Sequence, residues 1–211
     1  MGNSDKDIFI IGDGIAGLTL ARELSHAGRT VTVVGRGQKS GSASWAGGGI
    51  LSSLVPWYEP VAIAELARLG QQIYPAIAGE LQAETGIDIE YLDSDMLVLP
   101  PAEVELIQQW AATTGQPCQL LDATAVAVTE PALARHDFAL QLTGIHQVRS
   151  PRLLQALHQF LPRTGVHYCI AKNRPELSIR NGECQGVKID NHTYQPDQIV
   201  IAAGPWSGQL L

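Results

Sequence analysis

Three glycines carry the first chemical signal in this chain. Gly12, Gly14 and Gly17 stand in IIGDGIAGL, directly after the apolar run Asp7–Ile11 and directly before a run with helical spacing. Gly-x-Gly-x-x-Gly between a strand and a helix is the fingerprint of a dinucleotide-binding turn. The first glycine permits the tight turn, the second lets backbone approach a pyrophosphate, and the third lets helix and strand pack closely. At the start of the helix, Ile15 and Ala16 bring unpaired N–H groups and the positive end of the helix dipole toward the phosphates.

The fingerprint also expects a carboxylate about 20 positions further on, to accept the ribose hydroxyls. The second strand instead ends in Gly35, followed by Arg36. Two readings compete at this point. A glycine followed by arginine could admit a ribose 2′-phosphate, which favours NADP. Alternatively, a flavoprotein has lost one adenosine contact, and a glutamate introduced at position 35 should then tighten binding.

The elements that must position these residues are legible around them. Ile15, Leu18, Ala21 and Leu24 recur at threes before Gly28 stops the helix, and Thr30–Val34 is a second β-branched strand. The opening residues therefore form one βαβ unit. Gly35–Gly49 reads as a glycine- and serine-rich loop with almost no secondary-structure signal. A helix follows over Pro60–Thr85, which Pro75 should kink or split. Met96–Leu99 is predicted as a strand, Pro101 as the N1 residue of a helix, and Phe138, Leu140 and Leu142 as alternating positions of a half-exposed strand. Ser150-Pro151 starts a helix. Val166–Ala171 is extended, Asn181-Gly182 joins two strands as a hairpin, and Ile199–Gly204 is a buried strand ending in a glycine turn.

Residues 86–149 lack the βαβ rhythm of both ends. The fold expected is α/β: a Rossmann-like dinucleotide-binding domain built from residues 1–85 and 150–211, interrupted by a partial, inserted α+β domain at 86–149.

Composition narrows the function classes. A net charge of -7 over 211 residues argues against a nucleic-acid partner, which needs a basic face. The apolar stretches are strand-sized, well below the roughly 20 residues of a membrane span. Cys118, Cys169 and Cys184 are odd in number and widely spaced, so neither a disulfide framework nor a zinc site follows, and no metal is expected. A cytoplasmic location is the default. Gly204-Pro-Trp-Ser-Gly208 is not a hydrolase elbow, because Ser207 comes one place too late.

The loop after the second strand decides between the two nucleotide readings. Ser42-Ala-Ser-Trp-Ala-Gly-Gly-Gly-Ile-Leu51 resembles the corresponding segment of D-amino-acid-oxidase-type FAD enzymes, and most of all the glycine oxidases of bacterial thiamine biosynthesis. The resemblance continues through Pro56-Trp57, Ala64–Arg68, Tyr74-Pro75, Glu84–Asp88, Val148–Leu157 and Ala202–Ser207. It implies that residues 1–85 and 150–211 are the FAD-binding domain and 86–149 part of a substrate domain, and that Ser42 and Ser44 meet the pyrophosphate. It implies that Trp45, Ala46, Gly47, Gly48, Gly49 and Ile50 run beneath the flavin, and that Ala203, Gly204 and Trp206 form a second flavin-contacting turn. Arg174 falls where similar enzymes place an aliphatic residue against the adenine. Arg152, at a helix start, reads as a structural ion pair rather than a substrate anchor.

The activity implied is oxidation of glycine or another small amine or amino acid to an imine, with molecular oxygen as acceptor. Similar enzymes continue for more than a hundred further residues, and these hold the arginine that binds the substrate carboxylate. The expectation is therefore an N-terminal portion, inactive alone, with no nameable catalytic residue. Two partner arrangements stay open, a homo-oligomer and a complementing C-terminal chain. The other functional readings are a non-catalytic flavin- or nucleotide-binding remnant and an NADP-dependent reductase.

Overall fold

The computed structural model describes residues 7–37, 42–52, 55–99, 103–133 and 135–211. Strand β1 (Ile8–Ile11) leads into helix α1 (Ile15–His26), and β2 (Val31–Gly35) follows. A single helical turn, α2 (Ala43–Ala46), and the long helix α3 (Val61–Thr85) come next. The middle of the chain holds β3 (Leu92–Asp93), β4 (Met96–Val98), α4 (Val104–Thr114), β5 (Cys118–Asp122), α5 (Ala123–Thr129), β6 (Phe138–Leu142) and β7 (His146–Gln147). The chain then forms α6 (Ser150–Phe160), β8 (His167–Ile170), β9 (Glu176–Arg180), β10 (Glu183–Ile189), β11 (His192–Tyr194) and β12 (Gln198–Ile201).

Contacts divide these elements into two compact units: 1–48, 79–89 and 150–211 in the first, 49–78 and 90–149 in the second. The boundaries expected from sequence differ from this division, because residues 49–78 cluster with the second unit and not with the nucleotide fold.

The first unit is organised by a four-stranded, wholly parallel sheet in the order β12-β1-β2-β8. A β1 that is buried at every position is what the run of Ile and Phe requires of a central parallel strand. Ile10 faces α1, where its Cγ2 lies next to Gly17. Phe9, Ile11 and Val34 face the other way and pack with Val187 and Ile189 of the antiparallel sheet β11-β10-β9. Asn181 and Gly182 both take positive φ, 54° and 79°, as the tight β9–β10 hairpin demands. Leu153, Leu154, Leu157 and Phe160 give α6 its buried face.

In the second unit, β4-β6-β5 form an antiparallel sheet, and β3 pairs with β7. Leu140, Leu142, Ile107 and Ile145 make its core together with Trp57, Met96 and Trp110. The expected half-exposed strand is β6, whose Ala139, Leu140 and Leu142 are buried.

Two local expectations are corrected. Helix α3 is one helix across Pro75, so the split offered as one outcome there does not occur. Proline removes one N–H from the ladder, and fully buried Leu81 with Ile77 anchors the turns beyond it. The glycine-serine loop contains α2, because Ser42 supplies an N-cap: its hydroxyl accepts from the Trp45 N–H at 3.2 Å. Pro101 lies outside the described residues.

Candidate functional site

The fingerprint turn is built by close packing of three strand ends. Gly12 N–H donates to the Val34 carbonyl and Ala202 N–H to the Ile11 carbonyl, both at 2.8 Å. Gly12 adopts φ +128°, and a Cβ there would run into the Ala202 carbonyl. Both its backbone conformation and the space around it therefore require glycine. At Gly17 the demand is only for space, since a Cβ would meet the Gly12 carbonyl where α1 packs on β1.

Gly14 differs from both. It is the N-cap of α1, in extended backbone at φ -81°, and brings no side-chain cap. Its Cβ would lie 3.0 Å from Ser44 Oγ and near no backbone atom. A side chain at Gly14 would therefore crowd one hydroxyl and no backbone, so backbone packing alone does not require glycine there. The first turn of α1, which includes Ile15 and Ala16, holds no acidic residue, so the helix N-terminus keeps its positive end for an anion.

The loop residues sort by position. Ser44 joins the cradle, with Oγ accepting from the Ile15 N–H at 3.0 Å, so Ile15 does not bring the unpaired N–H expected of it. The Ser42 hydroxyl is engaged as the α2 cap. Trp45 is 39% exposed, Ala46 N–H donates to the Ser42 carbonyl, and Gly47 lies near Ser150 Oγ. Gly48 ends the first unit's opening segment. Gly49 and Ile50 belong to the second unit, where the Gly49 carbonyl accepts from Val148 N–H and Ile50 bridges to Gln147.

The turn after β12 lies beside the fingerprint through the Gly12–Ala202 contact. Gly204 takes φ +56°, Ala203 O accepts from the Trp206 N–H at 3.2 Å, and Trp206 is exposed. Arg174, also exposed, donates to Gln209 Oε1 at 3.0 Å and so braces that turn. Arg36 is exposed at the end of β2. Arg152 donates to the main-chain carbonyl of Asp88.

Position 35 holds a surprise. A Cβ on Gly35 would fall 2.5 Å from Asp13 Cβ, and closer still to the Asp13 carboxyl group. The expectation that a glutamate at 35 would tighten binding is therefore corrected, because a carboxylate from the fingerprint turn already fills that space. Asp13 Oδ2 is buried with no hydrogen-bond donor. His158 of α6 and Tyr168 of β8 both feel its charge. Burial pushes His158 below its ordinary value, against the Asp13 charge, while burial and then Asp13 push Tyr168 upward. Sequence reasoning passed over these three residues. The available signal was a charged residue between the first two glycines of the fingerprint.

The second unit has an open cleft of about 580 Å3, lined by Ile50, Val55, Trp57, Asp95, Met96 and His146 among others. Trp57 Nε1 and His146 Nδ1 are buried without partners, and His146 stacks on Tyr91 at 4.9 Å between ring centroids. Among the described residues, no lysine or arginine lines the cleft. Likewise, no cluster of His, Cys, Asp and Glu could hold a metal, and no helix is long and apolar enough to cross a membrane.

The first unit fits a dinucleotide. It offers a cradle that a side chain at Gly14 would enter, a helix whose first turn holds no acidic residue, and, just before it, a buried Asp13 Oδ2 without a hydrogen-bond donor. A family profile described as FAD dependent oxidoreductase matches residues 7–211. The chain belongs to this family. It resembles glycine oxidases along nearly its whole length. It is 34% identical over 206 residues to a glycine oxidase of Pseudomonas aeruginosa, a match covering 97% of this chain and 57% of that protein. A Pseudomonas putida glycine oxidase is 30% identical, with 98% and 57% covered. The crystal structure of glycine oxidase from Bacillus cereus superposes with a TM-score of 0.83 at 28% identity, covering 98% of this chain and 57% of the other. The chain thus spans a little over half the length of these relatives.

Proposed function

We propose that this chain is the nucleotide-holding portion of an enzyme that oxidises glycine or another small amine or amino acid to an imine, with molecular oxygen as final acceptor. The observation that carries the reading is the shared edge of β1 and β12. There the Gly12–Gly17 turn and the Ala203–Gly204 turn are pressed together through the Ala202 carbonyl. A single nucleotide turn would need only the first of these.

Bound FAD would supply the hydride acceptor. The Gly12–Gly17 backbone and the α1 N-terminus would hold its pyrophosphate, and Ser44 would fix the α2 turn against them. Main chain at Ala46–Gly48 and at Ala203–Gly204 would bring N–H groups to the flavin edge. Relatives of the same family named glycine oxidase support the substrate class. With it go thiamine biosynthesis as the setting and the cytoplasm as the compartment.

One observation favours a second reading, a flavin-binding chain that does not turn over amines by itself. The described cleft lining offers a substrate carboxylate no cation, and charge-assisted pairing with arginine is the usual way to hold one. Titration of the purified chain with FAD, followed by flavin fluorescence and absorbance, tests the shared core of both readings. Saturable binding that NADPH does not compete is expected. Binding of NADPH in place of FAD would refute them.

A further inference from the structure

We infer that Asp13 is the ribose-binding acid of this protein: the carboxylate that ordinarily rises from the end of β2 is supplied here from inside the glycine fingerprint. The inference rests on the flavin reading above and deepens it.

The argument is steric before it is electrostatic. A side chain at position 35 and the side chain of Asp13 cannot coexist, since the Cβ of the first would overlap the carboxyl group of the second. The two positions compete for one volume, at the end of β2 where the fingerprint places an acid. With Gly35 that volume is open, and the Asp13 carboxylate occupies it. The fingerprint's missing acid and its extra acid thus explain each other.

The carboxylate is also poised to accept. Oδ2 is buried and has no donor, and a buried acceptor without a partner is costly. Tyr168, the nearby buried hydroxyl that senses the Asp13 charge, makes no hydrogen bond either. His158, whose imidazole lies 5.5 Å from the Tyr168 ring, is held toward its neutral form by burial. Neither neighbour neutralises Asp13, whereas a ribose 2′-hydroxyl brings a proton to share. A 2′-phosphate at the same place would meet a negative charge. The one carboxylate therefore selects an unphosphorylated adenosine ribose and removes the NADP reading that Gly35-Arg36 left open.

The test uses the full chain and three probes that compete with FAD: ADP, 2′-deoxy-ADP and adenosine 2′,5′-bisphosphate. The parent should bind FAD, should favour ADP over 2′-deoxy-ADP by roughly tenfold or more, as expected of a hydrogen bond to a charged group, and should reject the bisphosphate. In Asp13→Asn the preference between ADP and 2′-deoxy-ADP should shrink to within about threefold, and the bisphosphate should become a competitor. Gly35→Glu alone should weaken FAD, through crowding and two adjacent carboxylates. The double variant Asp13→Gly with Gly35→Glu returns the acid to β2 and should restore the ribose preference, which a purely structural role for Asp13 would not allow. A parent that binds FAD but does not distinguish ADP from 2′-deoxy-ADP, or an Asp13→Asn variant that keeps the parent's preference, overturns the assignment. A parent that binds no FAD overturns the flavin reading beneath it.

Discussion

Gly12 and Gly14 sit two residues apart in one motif, yet the structure assigns them opposite reasons for being glycine. Their substitutions should therefore separate stability from binding. Gly14 already has extended backbone that any residue adopts, and its Cβ would approach only Ser44 Oγ, at 3.0 Å. Replacing an N-cap glycine by a non-capping residue costs about 0.5–1 kcal/mol. For a chain of this size that lowers the melting temperature by roughly 1–4 °C. The same methyls in Gly14→Val occupy the approach of a pyrophosphate to the α1 N–H groups. Losing one charge-assisted hydrogen bond there costs about 1.5–3 kcal/mol, so FAD affinity should fall roughly ten- to hundredfold. Gly12→Ala inverts the pattern. Positive φ costs about 1–2 kcal/mol and overlap with the Ala202 carbonyl about 1–3 more, so the fold itself should be lost or badly weakened. The assay is a thermal melt of each apo variant beside an FAD titration. If Gly14→Val melts far below the parent, or binds FAD as the parent does, the approach to Gly14 is not a phosphate site and the reasoning fails.

Three further outcomes follow from the structure. Arg22 is buried, donates to Glu80 Oε2 at 2.6 Å and also pairs with exposed Glu23; Glu80→Ala should cost about 1–3 kcal/mol, less than a fully buried pair because Glu23 remains, and thermal melting checks it. Burial lowers the pKa of His158 from its ordinary 6.5, so below that pH the unfolded chain takes up a proton that the folded chain resists, and stability should fall as pH drops. His158→Gln should flatten this acid-side slope, and equal slopes in melts at pH 5 and pH 7.5 would refute it. Finally, the FAD-loaded 211-residue chain should release no peroxide with glycine, sarcosine or D-amino acids, because no cation lines the described cleft; amine-dependent peroxide above a no-substrate control would show that these residues contain a complete site.

The sequence by itself determined whatever is written in local spacing. The βαβ opening, the Ser150 helix start, the Asn181-Gly182 hairpin and the β12 strand with its glycine turn each depend on a few neighbouring residues whose backbone preferences agree with the final fold. The fingerprint glycines were legible for the same reason, and the family was legible by resemblance over ten consecutive residues of the following loop. Tertiary structure decided everything that depends on which distant side chains share a volume. Nothing in local spacing says that Asp13 and Gly35 compete for one site, because they are brought together only when β1 and β2 pair in parallel with Ile11 beside Val34. Assignment of residues 49–78 to the second unit is likewise a matter of contacts, such as Gly49 with Val148 and Ile50 with Gln147 across nearly a hundred residues of chain. Helix α3 continues through Pro75 because burial beyond the proline outweighs a local penalty that the sequence displays and the fold absorbs. A missing acid and a misplaced acid look like two independent departures along the chain. In the folded protein they are one.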